Sequence, residues 1–384
     1  MTARIYLDHA ATTTVRPEAV EAMIPLLGGG HNPSSLHAEG RAARAAVDDA
    51  RGTVARVLGC AAREIVFTGS GTEADALAIA GAARARAAAG RHVVTSAVEH
   101  HAVLHACDAL EREGWEITRI PVDDAGRLDV DAFARALEPR TALASIMLGN
   151  NETGVLQPVA ELARLARDRG VVFHTDAVQC AGWIALDVAA LGVDLLTLSG
   201  HKFGGPKGVG ALFVRRGIDL EPLITGGAQE HGLRAGTENV PGIAGFARAL
   251  SLAEAERPEA APRVAALRDR LEAGIVAAIP DCRINGAGAP RLPHVLSVAF
   301  ADVPGDALLA RLDLEGIAAS AGSACAAGAL EPSHVVAALG MPERYRRGVV
   351  RFSLGAGTSA SDVDTVLGRL PALVADVRTP PAVR

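Results

Sequence analysis

Three observations predict an α/β fold: a large, mainly parallel sheet flanked by helices, followed by a smaller α+β part. Strand-like and helix-like segments alternate from about residue 64 to 215. The strand segments are short continuous apolar runs, as expected of parallel strands buried on both faces. After Pro241 the character shifts to long Ala/Arg/Glu-rich helices and more widely spaced strands.

Taken in order, helical periodicity covers 17–27 and 38–58. A strand at 64–68 runs into Gly69-Ser70-Gly71-Thr72-Glu73, which opens a helix to about residue 89. Then follow a strand at 92–96, a helix at 100–113, strands at 116–122 and 142–148 with a weaker helix between them, a helix at 159–169 and a strand at 171–176. Strands at 195–199 and 209–215 complete the first part. In the second part, helices are expected at 241–256 and 258–279, with Pro258 and Pro262 marking the break between them. Strands at 295–301, 317–320 and 349–354 alternate with helices near 306–312 and 332–339, and a last helix starts at Ser359.

Bulk properties narrow the function. The 384 residues carry a net charge of −6 and 3% aromatics, with no basic block, which argues against nucleic-acid binding. No charge-free apolar run approaches the ~20 residues that span a bilayer, and no apolar leader segment follows the first residues. The five cysteines (60, 107, 180, 282 and 325) are odd in number and irregularly spaced. That suits a reducing cytoplasm rather than a disulfide framework or a structural zinc site.

The most telling residues are the lysines. Of 38 basic Lys and Arg residues only Lys202 and Lys207 are lysine, and both lie in the glycine-rich stretch from Ser199 to Gly208. Arginine serves as well at a solvated surface, but it cannot form an imine, whereas a lysine amine condenses with an aldehyde. This points to Schiff-base chemistry, most commonly with pyridoxal phosphate. A coding bias toward arginine would also leave a few lysines by chance, so the neighbours have to decide.

Residues 69–73 form a strand–glycine–helix joint whose amides suit a phosphate, although such joints are often merely structural. No Walker or dinucleotide fingerprint is present. Asp176 ends a strand, where a carboxylate faces the ligand crevice of an open sheet and could keep a pyridine nitrogen protonated; a helix-capping role is the alternative. Ser199 and His201, just before Lys202, could hold a phosphate, while Lys207 fits a turn. His100 follows a strand end and could stack on a planar ring. His101 and His105 have the spacing of a helical metal pair, but no third ligand is placed by sequence. Cys325 lies in a run of small residues, a loop-like setting for a nucleophilic thiol, whereas the other cysteines fit buried apolar positions. Arg351 is a lone charge in an apolar strand, so it must pair with a carboxylate, internal or a substrate's.

Residues 6–13, 32–41, 67–75, 99–103, 150–154, 174–179, 199–210, 236–239 and 322–325 together resemble the cysteine desulfurases, pyridoxal-phosphate enzymes of the class V aminotransferase group. The match runs nearly end to end, and Glu331-Pro332-Ser333-His334 after the cysteine is similar to the NifS/IscS-like branch. The resemblance implies the PLP-dependent transferase fold (fold type I), with a seven-stranded sheet in a large domain at 15–250. Residues 1–14 and 251–384 would form the small α+β domain, with the cysteine loop at about 320–330. It implies pyridoxal 5′-phosphate anchored on Lys202, with Asp176 on the pyridine nitrogen, Gln179 on the ring oxygen and His100 stacked as acid/base. Gly71, Thr72, Ser199 and His201 would hold the phosphate, joined by Thr237 from the second subunit of a homodimer. Asn151 would serve the cofactor and, with Asn32 and Arg351, the substrate carboxylate.

The implied reaction takes sulfur from L-cysteine, gives L-alanine and leaves a persulfide on Cys325. That sulfur would pass to an acceptor such as an iron–sulfur scaffold, and Cys325 would contact a cluster only transiently, with no resident metal. Selenocysteine lyase, another class V enzyme and a catalytically silent assembly subunit are the alternatives. Two positions depart from the family's pattern: Ala76 replaces a usual asparagine, and His31 a usual glycine.

Overall fold

The computed structural model describes residues 4–29, 32–322 and 333–378. Its strands, in chain order, are β1 (Ile5–Tyr6), β2 (Ile65–Thr68), β3 (His92–Ser96), β4 (Glu116–Ile120), β5 (Thr141–Ser145), β6 (Val172–Asp176), β7 (Leu195–Ser199), β8 (Gly210–Val214), β9 (Cys282–Ile284), β10 (Val295–Phe300), β11 (Ile317–Ala318) and β12 (Val349–Ser353). The α-helices are α1 (Pro17–Leu27), α2 (Ala38–Leu58), α3 (Gly71–Ala76), α4 (Ala82–Ala85), α5 (His101–Arg112), α6 (Val130–Ala136), α7 (Val159–Arg167), α8 (Val188–Leu191), α9 (Val240–Ala278), α10 (Gly305–Leu314), α11 (His334–Ala338), α12 (Glu343–Arg346) and α13 (Ala360–Arg378).

Seven strands form the large sheet in the order β2-β8-β7-β6-β5-β3-β4. All neighbours run parallel except at β8, which is antiparallel to both β2 and β7. Every residue of β2, β3, β5, β6, β7 and β8 is buried, while edge strand β4 is partly exposed. The continuous apolar runs therefore have the cause expected of them: helices cover both faces. On one face Val47 and Val54 of α2, Leu162 of α7 and Phe246 of α9 pack with Ile65, Phe67 and Phe173. On the other, Ala74 of α3 and Val103 and Leu110 of α5 pack with Val66, Val93 and Leu212.

The smaller part holds an antiparallel sheet of order β12-β10-β9, and a parallel pair joins β1 to β11. Its core gathers Leu271 and Ile275 of α9, Leu308 of α10, Val366 of α13, and Phe300 and Phe352 from the sheet. Among the described residues no helix is long and apolar enough to cross a membrane.

Two helix expectations fail. Pro258 and Pro262 do not separate two helices; both lie inside the single helix α9. The prolines are exposed, and each side of them is anchored in a different core: Phe246 and Leu250 under the large sheet, Leu271 and Ile275 in the small part. Packing of both halves outweighs the backbone bonds that two prolines remove. The helix expected to run from the glycine joint to about residue 89 is also interrupted, since a π turn at Leu77–Gly81 lies between α3 and α4.

Candidate active site

The functional candidates meet where the parallel strands end, the crevice an open α/β sheet leaves for a ligand. A cavity of about 440 Å³ opens there, and its walls include Gly71, Thr72, His100, Asn151, Asp176, Gln179, Ser199, His201, Lys202 and Arg351. All but Arg351 close or follow a strand of the large sheet, which sets their spacing, while Arg351 comes from the middle of β12 in the smaller sheet.

At one end, β2 passes through Gly69 and Ser70 into α3. Ser70 caps the helix, its hydroxyl accepting from the Glu73 amide at 3.1 Å. Glu73 returns a carboxylate to the Gly69 amide at 2.8 Å and pairs with Arg234 at 2.9 Å. Space is tight at Gly71: a Cβ there would stand 3.0 Å from the Cβ of Ser199, so a larger residue would have to push Ser199 aside. The His201 ring lies 3.2 Å from the Thr12 hydroxyl. Lys207 is on a turn, as expected, and still reaches the cavity wall.

At the centre, Lys202 Nζ donates to the carbonyls of Ala10 at 2.6 Å and Ala11 at 2.8 Å. Gln179 Nε2 donates to the same Ala10 carbonyl at 3.0 Å. Asp176 is buried and accepts from the Val178 amide at 2.8 Å; it caps no α-helix. Burial pushes its carboxyl up to about 6, against the opposing pull of that amide and of Lys202. His100 is the N-cap of α5, with Nδ1 accepting from the Ala102 amide at 3.2 Å. Burial, with Lys202 and the neighbouring histidines adding to it, lowers the imidazole to about 4. A neutral ring whose Nδ1 lone pair is occupied carries its proton on Nε2. Arg351 finds an internal carboxylate: Asp8 Oδ1 lies 2.9 Å from its NH2, and the Asn151 carbonyl accepts from NH1 at 2.8 Å. Arg351 Nε is buried with no hydrogen-bond partner among the described residues.

Two predicted residues lie away from the cavity. Asn32 is exposed and its side chain accepts from the Ser34 amide, and Thr237 is exposed as well. Cys325 lies outside the described residues, as does His31. Both described ends of the cysteine segment, however, lead to Glu152. The Ser333 hydroxyl donates to its carboxylate at 2.6 Å, and a Cβ on Gly322 would stand 2.8 Å from the same oxygen. The other cysteines agree with the apolar reading: Cys107 and Cys180 are buried, Cys60 and Cys282 half-buried, and burial pushes the Cys107 thiol up to about 12.

Sequence reasoning assigned no role to several wall residues, namely Ala10 to Thr12, Met147 and Asp75. Asp75 had only one signal, a carboxylate in an otherwise apolar helix face. It also left His101 and His105 without a third ring; the structure brings His334 to 4.7 Å from His101, centroid to centroid, beside His105 at 5.2 Å. Their ligand atoms do not all come within 4.8 Å of one another, so they are not a converged ligand set. Among the described residues the trio whose ligand atoms lie within 4.8 Å of one another is Asp75, His100 and Asp176, inside the cavity.

The sequence pattern of the family described as aminotransferase class-V matches residues 5–366. The chain belongs to the class-V aminotransferase family. Its relatives within the family align over nearly their whole lengths. A protein named cysteine desulfurase from Cereibacter sphaeroides is 50% identical over 378 residues, covering 98% of this chain and 97% of that protein. One named cysteine desulfurase IscS from Dictyoglomus turgidum is 46% identical over 380 residues, covering 99% and 96%. A solved structure titled NifS-like protein superposes with a TM-score of 0.90 at 35% identity, covering 97% of this class-V aminotransferase and 99% of that chain.

Proposed function

We propose that this class-V aminotransferase is a cysteine desulfurase that uses pyridoxal 5′-phosphate to take sulfur from L-cysteine, releasing L-alanine and leaving a persulfide on Cys325. The observation that carries the reading is one cavity holding a lysine, a buried carboxylate and a neutral imidazole together, Lys202, Asp176 and His100, in a chain with full-length relatives named cysteine desulfurase.

The residues suit the cofactor. The cavity, at about 440 Å³, is within the range that small-molecule sites occupy. Two buried polar atoms in its walls, Arg351 Nε and Asp75 Oδ1, have no hydrogen-bond partner among the described residues. When bound, the cofactor supplies an electron sink for the charge that forms on the substrate's α-carbon.

The rest is work for the chain's own side chains. Lys202 Nζ is the covalent anchor, already held by two carbonyls at the cavity's centre. Asp176 would keep a proton on the ring nitrogen, and Gln179 would take the ring oxygen. Gly71, Thr72, Ser199 and His201 would hold the phosphate, and Thr237 of a second copy would complete that cradle. His100 would face the ring, with its Nε2 proton available to donate. Asn151, Asn32 and Arg351 take the substrate carboxylate, for which Arg351 loosens its bond to Asp8. The substrate's sulfur then bonds to Cys325 Sγ, the Cβ–S bond breaks, and the carbon skeleton takes up a proton and leaves. The enzyme works in the cytoplasm as a homodimer and hands its sulfur to an acceptor protein such as an iron–sulfur scaffold.

Absorbance of the purified protein, peptide mass after borohydride reduction and a sulfide assay test this. The protein is expected to be yellow, with the cofactor's mass fixed on the Lys202 peptide, and Lys202→Ala should lose it. Cys325→Ala should stay yellow and lose sulfide release from cysteine. A protein that remains colourless after incubation with pyridoxal phosphate would overturn the reading.

A further inference from the structure

We propose that Asp75 and Asp176 form an acid pair holding one proton between them, carried by Asp75, so that Asp176 remains the carboxylate available to the cofactor's ring nitrogen. The last clause rests on the cofactor reading above; the pair itself does not.

Both side chains are buried, Asp75 at 1% exposure and Asp176 at 5%, and an oxygen of each lies within 4.8 Å of the other. Like charges this close in a dry site do not both ionise. What surrounds the two acids is unequal. Asp176 accepts an amide at 2.8 Å and feels the ammonium of Lys202. Asp75 is held by the Thr197 hydroxyl, and among the described residues its Oδ1 has no hydrogen-bond partner.

Among the described residues, the groups that bear most directly on Asp75 are two histidines and a second acid. From β6, His174 Nε2 is 3.6 Å away, but its two nitrogens already meet Ser145 and Thr197, and burial lowers it to about 3. From the turn before α5 come His100, lowered to about 4, and Glu99, an acid that burial itself pushes up to about 8. Burial first, then the charge of Asp176, drives the Asp75 carboxyl well above its ordinary range. The proton therefore settles on Asp75. Asp75 is a positioning residue that acts through Asp176.

The sign of the resulting pH dependence is fixed. Both acids have folded-state values above their unfolded ones, so the stability they contribute is complete at low pH. It is lost as pH rises, through about 6 for Asp176 and higher for Asp75. Glu99 adds a loss of the same sign near 8, while His100 and His174 act oppositely and only on the acid side. Asp75→Asn, a neutral isostere, removes only the share of Asp75.

The test is thermal unfolding of the full chain, with and without pyridoxal phosphate, from about pH 5 to about pH 9. The wild-type Tm should fall with rising pH more steeply than that of Asp75→Asn, leaving the variant the more stable above about pH 7. Parallel curves overturn the pair. Cofactor titration by absorbance gives a second readout: Asp75→Asn should lose only a few-fold in affinity, Asp176→Asn at least about tenfold. Equal losses would mean that Asp75 works as a carboxylate, and the proton assignment falls. Should Asp75→Asn not fold, Thr197→Val removes the hydroxyl bond that favours ionised Asp75 and should move the wild-type transition to higher pH; no movement overturns the proposal. A wild-type chain that binds no cofactor sinks the functional reading and leaves the melting curves to decide the pair.

Discussion

Arg51 and Glu230 reach the site from the far side of β2. Arg51 NH1 and NH2 grip the two Glu230 oxygens at 2.7 Å each, and NH1 also donates to the Ile65 carbonyl at 2.6 Å. Glu230 in turn takes the Phe67 amide at 2.8 Å. Both side chains are buried, so the clamp fixes the strand that delivers Gly69, Ser70 and Gly71 to the cavity. Arg51→Met should destabilise the protein by about 3–5 kcal/mol in a denaturant titration, because Glu230 is left a buried charge without its counter-ion. Replacing both residues with apolar ones should recover much of that loss. A single variant costing less than about 1 kcal/mol would show that the pair is not part of the scaffold. Nothing in the sequence announces this pair, because its members are 179 positions apart. Lys202, Asp176, His100 and Ser199 were legible for the opposite reason: each closes or follows an apolar strand, and strand ends of a parallel sheet share one crevice. Arg351 was half legible. Its isolation among apolar residues required a carboxylate, but only the fold could show that Asp8 supplies it.

Elements were legible where local pattern and packing agree, and they failed where packing overrides pattern. The strands of the large sheet read correctly because all but edge strand β4 are buried along their whole length, which favours apolar residues, and polar ones such as His174 and Thr175 find partners inside. The reversal at β8 did not read, because an antiparallel strand buried on both faces has the same composition. In α9 the prolines were read as an ending, yet cores on both sides of them hold the helix together. This has a measurable consequence. Pro258 is exposed and leaves the Glu254 carbonyl without its helical donor, so Pro258→Ala should stabilise the protein by about 1–2 kcal/mol in a denaturant titration. That gain is smaller than the full helix cost of proline because the unfolded chain also regains freedom. A loss of stability on substitution would mean that a kink at this point is needed to join the two cores.

At the scale of the whole molecule, one chain leaves the proposed site incomplete. Asn32 and Thr237 are exposed and absent from the cavity wall. Val20, Ile24 and Leu27 line one exposed face of α1, and Leu36, between Asn32 and α2, is 89% exposed. An apolar helix face beside unplaced polar residues is what a self-association surface looks like in one subunit. If Thr237 serves the partner's phosphate cradle, two inactive variants should rescue each other. Lys202→Ala removes the anchor from its own cavity, and Thr237→Asp places a negative charge against the phosphate in the other. In a mixed dimer one cavity then carries both lesions and the other carries none. Unfolding and refolding an equal mixture should therefore restore about a quarter of the wild-type sites, read as sulfide release. Were Thr237 to serve its own chain, every cavity of the mixed dimer would keep one lesion and the mixture would stay as inactive as its parts.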